Sequence, residues 1–240
     1  MTQVDFDRYT SAVQAGRLLR VVNFHNTAAG AADGLRRHLV QLRRDFVIAG
    51  RAELDDLFQT GEWHGDRPPV LAVFYEGYAN HAAVAAPILA ELDITAWFFI
   101  PTVFIDVPLA DQEAFADAHS IDLVEEERGA ERLALTWDEV AELAQRHVIA
   151  AHTGTHEQIT EIRTDEDLER EIFGPFRRIL AATGQPPAAT AFLGGSGLGD
   201  APLVDAAVRE AGYPYVFSNS RLQRLTSVPR LVPAPIGNPR

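Results

Sequence analysis

The sequence predicts an α/β fold: a parallel sheet closed, or partly closed, into a (β/α) barrel of about seven strands. Short apolar runs recur along the chain, and between them lie segments whose apolar residues repeat at helical spacing. Strands alternating with helices of roughly 10–15 residues form βαβ units, and such strands run parallel. The 240 residues accommodate about seven such units. No Pro/Gly/Ser-rich linker divides them, so the chain reads as one domain over 1–240, with an N-terminal extension at 1–17.

The elements follow in order. Residues 18–24 (LLRVVNF) form a buried strand. Residues 34–46 form a helix with Leu35, Leu39, Leu42 and Phe46 on one face, and a short helix covers 53–58. Residues 70–74 (VLAVF) are a strand set off by Pro68 and Pro69. A helix over 81–92 turns Val84, Ile88 and Leu92 inward. Residues 96–100 (AWFFI) are a strand stopped by Pro101, followed by a helix over 111–119. A helix over 136–146 opens with a capping box, Thr136 with Glu139. Then come a strand at 148–151, a long helix at 164–182, a strand at 190–193, a helix at 200–211 capped by Asp200, and strands at 215–217 and 231–232. The acidic run 125–127 reads as a solvated loop.

Composition removes several chemistries. The formal charge is −13, which disfavours nonspecific binding to nucleic acid or an anionic membrane. All 21 basic residues are Arg, which excludes a Schiff-base lysine and a P-loop lysine. There is no Cys, so thiolate catalysis and Cys-held zinc are excluded, and a protein-bound transition metal must use His and carboxylate. No segment reads as a signal peptide or a membrane span, so a soluble cytoplasmic protein is expected.

In βα folds the chemistry sits where strands end. Past the strand at 148–151 stands His152-Thr153-Gly154-Thr155-His156. Two His four apart face one cation if the backbone coils into a helical turn, and neutral imidazoles suit zinc-like metals. At the end of the strand at 70–74 stands Tyr75-Glu76-Gly77, a carboxylate aimed by a turn, and the first strand ends in Phe24-His25, which makes His25 a residue of the site wall. The glycine stretch 194–199 (GGSGLG) lacks nucleotide-binding spacing and reads as a flexible connection. Trp63, Tyr78, Trp97 and Phe104 are aromatic candidates for stacking on a sugar.

Together these segments resemble the polysaccharide deacetylase family from about residue 18 to 232. Phe24-His25 stands where the family has Tyr-His. VFYEGY (73–78) stands for its T-F-D-D-G-Y motif and is followed, as in the family, by a helix and an aromatic strand (86–105). LTWDEVAELAQRHVIAAHTGTH (135–156) fits the approach to its H-[ST]-x-x-H motif throughout. The resemblance implies a distorted barrel and a divalent metal, usually zinc, held by Glu76, His152 and His156. The metal would polarise an acetamide carbonyl and activate water.

Four departures accompany it. The position of the family's general base is Tyr75, its metal-binding Asp is replaced by Glu76, which is longer by one methylene, the third motif carries no Arg, and no His follows His156 to act as late general acid. Tyr75 then serves as an oxyanion donor or fills space, and Asp106 or Glu157 become candidates for the base. Three readings follow: a metal-dependent remover of acetyl groups from an amino sugar or related small molecule, a metal-free hydrolase of cyclic amides or ureides, and an inactive carbohydrate binder. The partner is a small-molecule or carbohydrate substrate, with no nucleic acid and no membrane; a homo-oligomer is left open.

Overall fold

The computed structural model describes residues 19–199, 201–218 and 222–225. Eight strands are found among them: β1 Arg20–Phe24, β2 Val47–Ile48, β3 Pro69–Phe74, β4 Trp97–Ile100, β5 Val148–Ala151, β6 Thr190–Ala191, β7 Tyr215–Phe217 and β8 Leu222–Arg224. They form one sheet in the order β1-β3-β4-β5-β6-β7-β8, with β2 beside β3. Every pairing is parallel except β7 with β8. Among the described residues no ladder joins β1 to β8, so the curled sheet is a half-barrel, the incomplete form of the expected fold.

The helices are α1 Ala32–Asp45, α2 Arg51–Thr60, α3 Ala86–Glu91, α4 Thr102–Asp106, α5 Gln112–Ala118, α6 Trp137–Leu143, α7 Asp165–Leu168, α8 Gly174–Thr183 and α9 Pro202–Ala211. In α1 the buried residues are Leu35, Leu39 and Leu42, as the helical spacing requires. Thr136 caps α6 and accepts from Glu139 N–H, while Glu139 accepts from Thr136 N–H. The expected long helix is α7 and α8 joined by the wider π turn Glu169–Phe173. A second π turn, His81–Ala85, leads into α3. Helix α9 begins at Pro202 with Ala201 as its cap, not Asp200, which lies outside the described residues. The expected strand at 231–232, the extension at 1–17 and Leu18 also lie outside them.

Strand β3 is buried along its whole length, so it faces apolar neighbours on both sides. Val70, Ala72 and Phe74 pack with Leu39, Ile88, Val140 and Ile179 of the covering helices. Leu71 and Val73 turn to the concave face, filled by Trp97, Phe99, Tyr215 and Phe217. Trp97 and Phe104 are fully buried core residues, and Trp63 bonds its indole N–H to Arg67 C=O. None of these three lines the cavity described below. The acidic run is only partly solvated. Glu127 accepts from Asn26 and Asn80 and from Val124 N–H.

Register places the site. Phe24 pairs with Phe74, Phe74 with Phe98, and Ile100 with Ala151. The residues after β1, β3 and β5 are therefore His25, Tyr75-Glu76 and His152, all at one end of the sheet.

Candidate active site

A cavity of about 310 Å³ opens at that end, and His25, Tyr75, Glu76, Tyr78, His152 and His156 stand in its wall. The turn after β3 is made by consecutive left-handed residues, Glu76 at φ 69° and Gly77 at φ 64°. On the histidine turn Thr153 (φ 58°) and His156 (φ 66°) are also left-handed. A non-glycine residue in that region costs of order 1–3 kcal/mol, and such residues cluster at functional sites. His152 and His156 therefore converge through a tight turn and not through the helical turn expected from their spacing.

The turn is held from behind. Glu171 is fully buried. Its carboxylate accepts from Gly154 N–H at 2.9 Å, Thr155 N–H at 2.8 Å and the Thr155 hydroxyl at 2.9 Å, and Arg170 Nε donates to it at 2.6 Å. Gly154 is obligatory, because a Cβ there would lie 2.1 Å from Arg170 O. The π turn that carries Glu171 buries it beside Ile172; such turns recur at functional sites.

The tautomers follow from the second nitrogens. His152 Nδ1–H donates to Ala191 C=O at 3.1 Å, and His156 Nδ1–H donates to His119 C=O at 2.8 Å. Burial, above all, pushes both pKa values down, so both rings are neutral at pH 7. Each Nε2 then presents a lone pair. The two lone pairs face one another at 3.1 Å, with Glu76 Oε1 at 3.9 Å from one and 3.6 Å from the other. Three electron-pair donors around one point repel unless a cation or proton lies among them. A tetrahedral ion with bonds of about 2.0–2.1 Å spaces its ligands about 3.4 Å apart, close to these separations. The donor set fits a zinc-like ion, and all three residues are buried.

His25 Nδ1 lies 2.8 Å from Glu76 Oε2 and 3.0 Å from Oε1. That bond is the main cause of the raised His25 pKa. His25 thus contacts both Glu76 oxygens, and Oε1 also faces the two imidazoles. Tyr75 is packed between rings: His25 at 5.5 Å, Phe99 at 5.0 Å and His152 at 5.0 Å. Burial raises its pKa, so it stays a phenol. Below the site, His81 is fully buried and gives its Nε2–H to His25 C=O at 2.9 Å. Burial lowers its pKa to about 4.

Asp106 is not brought to this cavity. The segment after Pro101 coils into α4 and carries Asp106 away, where Arg178 and the Trp137 indole hold its carboxylate. Burial raises the Asp106 pKa, the Arg178 and Trp137 bonds lower it, and the net shift is downward. Glu157 is also outside the wall and accepts from Gln158 N–H. Gly194 and Gly195 do line the cavity, beside Phe192 and Phe217. Two further residues escaped the sequence reading. Glu171 was discoverable as an acid on the apolar ridge of Leu168 and Ile172. Asp122, in the cavity wall, carries no such signal. No helix among the described residues is long and apolar enough to cross a membrane.

The polysaccharide deacetylase family model matches residues 64–216, more than half of the chain. Among solved structures the chain is similar to IcaB from Ammonifex degensii, with 17% identity, 82% of each chain covered and a TM-score of 0.60. It is also similar to the BpsB deacetylase domain from Bordetella bronchiseptica, with 16% identity, 84% of this chain and 88% of that one covered and a TM-score of 0.61. A de-N-acetylase from Aggregatibacter actinomycetemcomitans matches at 16% identity over 82% of this chain and 86% of that one, with a TM-score of 0.60. At such identities the likeness establishes the fold. No curated protein matches the chain. The family match runs from ahead of β3 into β7 and takes in the turns after β3 and β5, and it places the chain among hydrolases of non-peptide carbon–nitrogen bonds: it belongs to the polysaccharide deacetylase family.

Proposed function

We propose that this chain removes an acetyl group from an N-acetylated amino sugar or a related small molecule, with Glu76, His152 and His156 holding a divalent ion, zinc. The observation that supports it is the pair of neutral imidazole nitrogens 3.1 Å apart facing one carboxylate oxygen. Bound there, such an ion polarises the amide carbonyl and makes water more acidic. The remaining work falls to the chain. Ala191 and His119 carbonyls fix the two imidazoles, as second partners do in metal sites. Tyr75 keeps its proton and donates it as a hydrogen bond to the developing oxyanion. His25, held on Glu76, gives a proton to the departing nitrogen. A cavity of about 310 Å³ is at the small end for ligand sites and suits one acetamido sugar unit. That similar solved structures are named deacetylase and de-N-acetylase supports the same substrate class.

A second reading, metal-free hydrolysis of a cyclic amide, is favoured by the contact of His25 with both Glu76 oxygens. The test is acetate release from short N-acetylglucosamine oligosaccharides by chelator-stripped protein, before and after zinc is added. Activity that appears with zinc supports the first reading. Hydrolysis of a cyclic imide that is indifferent to chelator selects the second.

A further inference from the structure

The proposed reaction needs a group to take a proton from the attacking water, and Tyr75 occupies the place where the sequence motif would put it. The cavity wall carries two carboxylates among the described residues, Glu76 and Asp122. Glu76 is engaged by His25 and faces the two imidazoles. Asp106 and Glu157 are bonded elsewhere. We propose that Asp122 is the general base; the assignment rests on the amide-hydrolase reading above.

Asp122 is held as a base should be, by its backbone and not by its carboxylate. Its C=O accepts from the Tyr78 hydroxyl at 2.8 Å and from Asn26 Nδ2 at 3.3 Å. Tyr78 belongs to the turn that carries Glu76, and Asn26 follows His25. The two turns that build the site therefore fix the distance of Asp122 from it. The loop is tied again by Glu127, which accepts from Asn80 and Asn26. Two residues before Asp122, Ser120 is left-handed at φ 55° and also lines the cavity. Among the described residues the Asp122 carboxylate has no ion pair or hydrogen-bond partner, and the residue is exposed in the cavity wall.

The step balances with these groups alone. As the water oxygen bonds to the carbonyl carbon, one of its protons passes to the Asp122 carboxylate. The carbon–nitrogen bond breaks with its electron pair going to nitrogen, which takes a proton from His25. Acetic acid and the amine leave, and Asp122 returns its proton to His25 through solvent.

The test compares zinc-loaded wild type with Asp122→Asn on short N-acetylglucosamine oligosaccharides, and measures acetohydroxamate binding by calorimetry. The carbonyl anchors do not involve the side chain, so zinc affinity and the urea midpoint stay at wild-type values. The expected result is a kcat about 100-fold lower or less still, with KM within about threefold. Acetohydroxamate, which passes a proton to the base on binding, should bind about tenfold more weakly for loss of a charged partner. An active wild type with an equally active Asp122→Asn overturns the assignment and leaves the hydrolase reading standing. A zinc-loaded wild type without turnover overturns that reading, and the assignment with it.

Discussion

Glu171 is the support on which the histidine turn stands, and its removal has a size that can be worked from its contacts. In Glu171→Ala the buried N–H groups of Gly154 and Thr155 lose their acceptor. Each orphaned buried donor costs about 1–3 kcal/mol, so the expected loss of stability is about 2–6 kcal/mol. Arg170, whose side chain is 43% exposed, is rehydrated and adds little. Glu171→Gln keeps one oxygen for the two N–H groups but turns an amide toward Arg170, so it should cost less, about 1–2 kcal/mol. Because Thr155 lies between the two imidazoles in sequence, the same change loosens both. Zinc affinity should fall about 10- to 100-fold in the alanine variant, the range for lost outer contacts at metal sites, and be largely kept in the glutamine variant. Urea unfolding at pH 7 and zinc competition against a chromophoric chelator read the two effects separately. An alanine variant that binds zinc within about threefold of wild type would refute the claim that Glu171 positions the histidines.

Other consequences are as direct. Gly154→Ala puts a methyl 2.1 Å from Arg170 O, so the turn must move; loss of zinc binding is expected on titration, and wild-type affinity would contradict it. Tyr75→Phe should lower turnover about 10- to 1,000-fold if the phenol serves the oxyanion, and unchanged kcat would reduce Tyr75 to a packing residue. Asp106→Asn should leave kcat within about threefold and cost at most about 1 kcal/mol for a half-exposed pair with Arg178. The fold should also be acid-labile. His81 and His147 have pKa values lowered to about 4 by burial, whereas in the unfolded chain they titrate near 6.5. Between those values the unfolded chain binds more protons, so stability falls as pH falls. From pH 6.5 to 5 the two together should cost about 2–4 kcal/mol, and urea midpoints that do not fall over that range would contradict this.

Much of the fold was legible because strands β3 to β7 are buried on both faces, whereas β1, expected as buried, is exposed or half-buried along its length. The apolar runs at 148–151 and 215–217 have the bounds expected, and Pro101 does end β4. The expected helix boundaries at 136–146 and 164–182 fail by only a few residues, because Thr136 and Thr164 are true caps. What stayed hidden depends on partners distant in sequence. Strand β8 (LQR) has no apolar run and exists because it pairs with β7. Helix α4 follows Pro101 with β-branched residues that give no helical signal, so the segment after Pro101 was expected as a loop facing the site, and this is why Asp106 was expected at the wrong place. The π turns insert no sequence signal. In the site, Glu76, His152 and His156 were readable because their motifs carry the turns that aim them. Asp122 was not readable: its place is set by Tyr78 and Asn26, 44 and 96 residues away in sequence.

The central claim is that Glu76, His152 and His156 form one cation site, and calorimetric titration of chelator-stripped protein with zinc tests it most directly. The account predicts about one ion per chain, with proton release at acidic pH as the site histidines give up protons, and loss of that site in His152→Ala, His156→Ala and Glu76→Gln alike. Wild-type protein that takes up no zinc, or takes it up equally well in all three variants, would contradict the account.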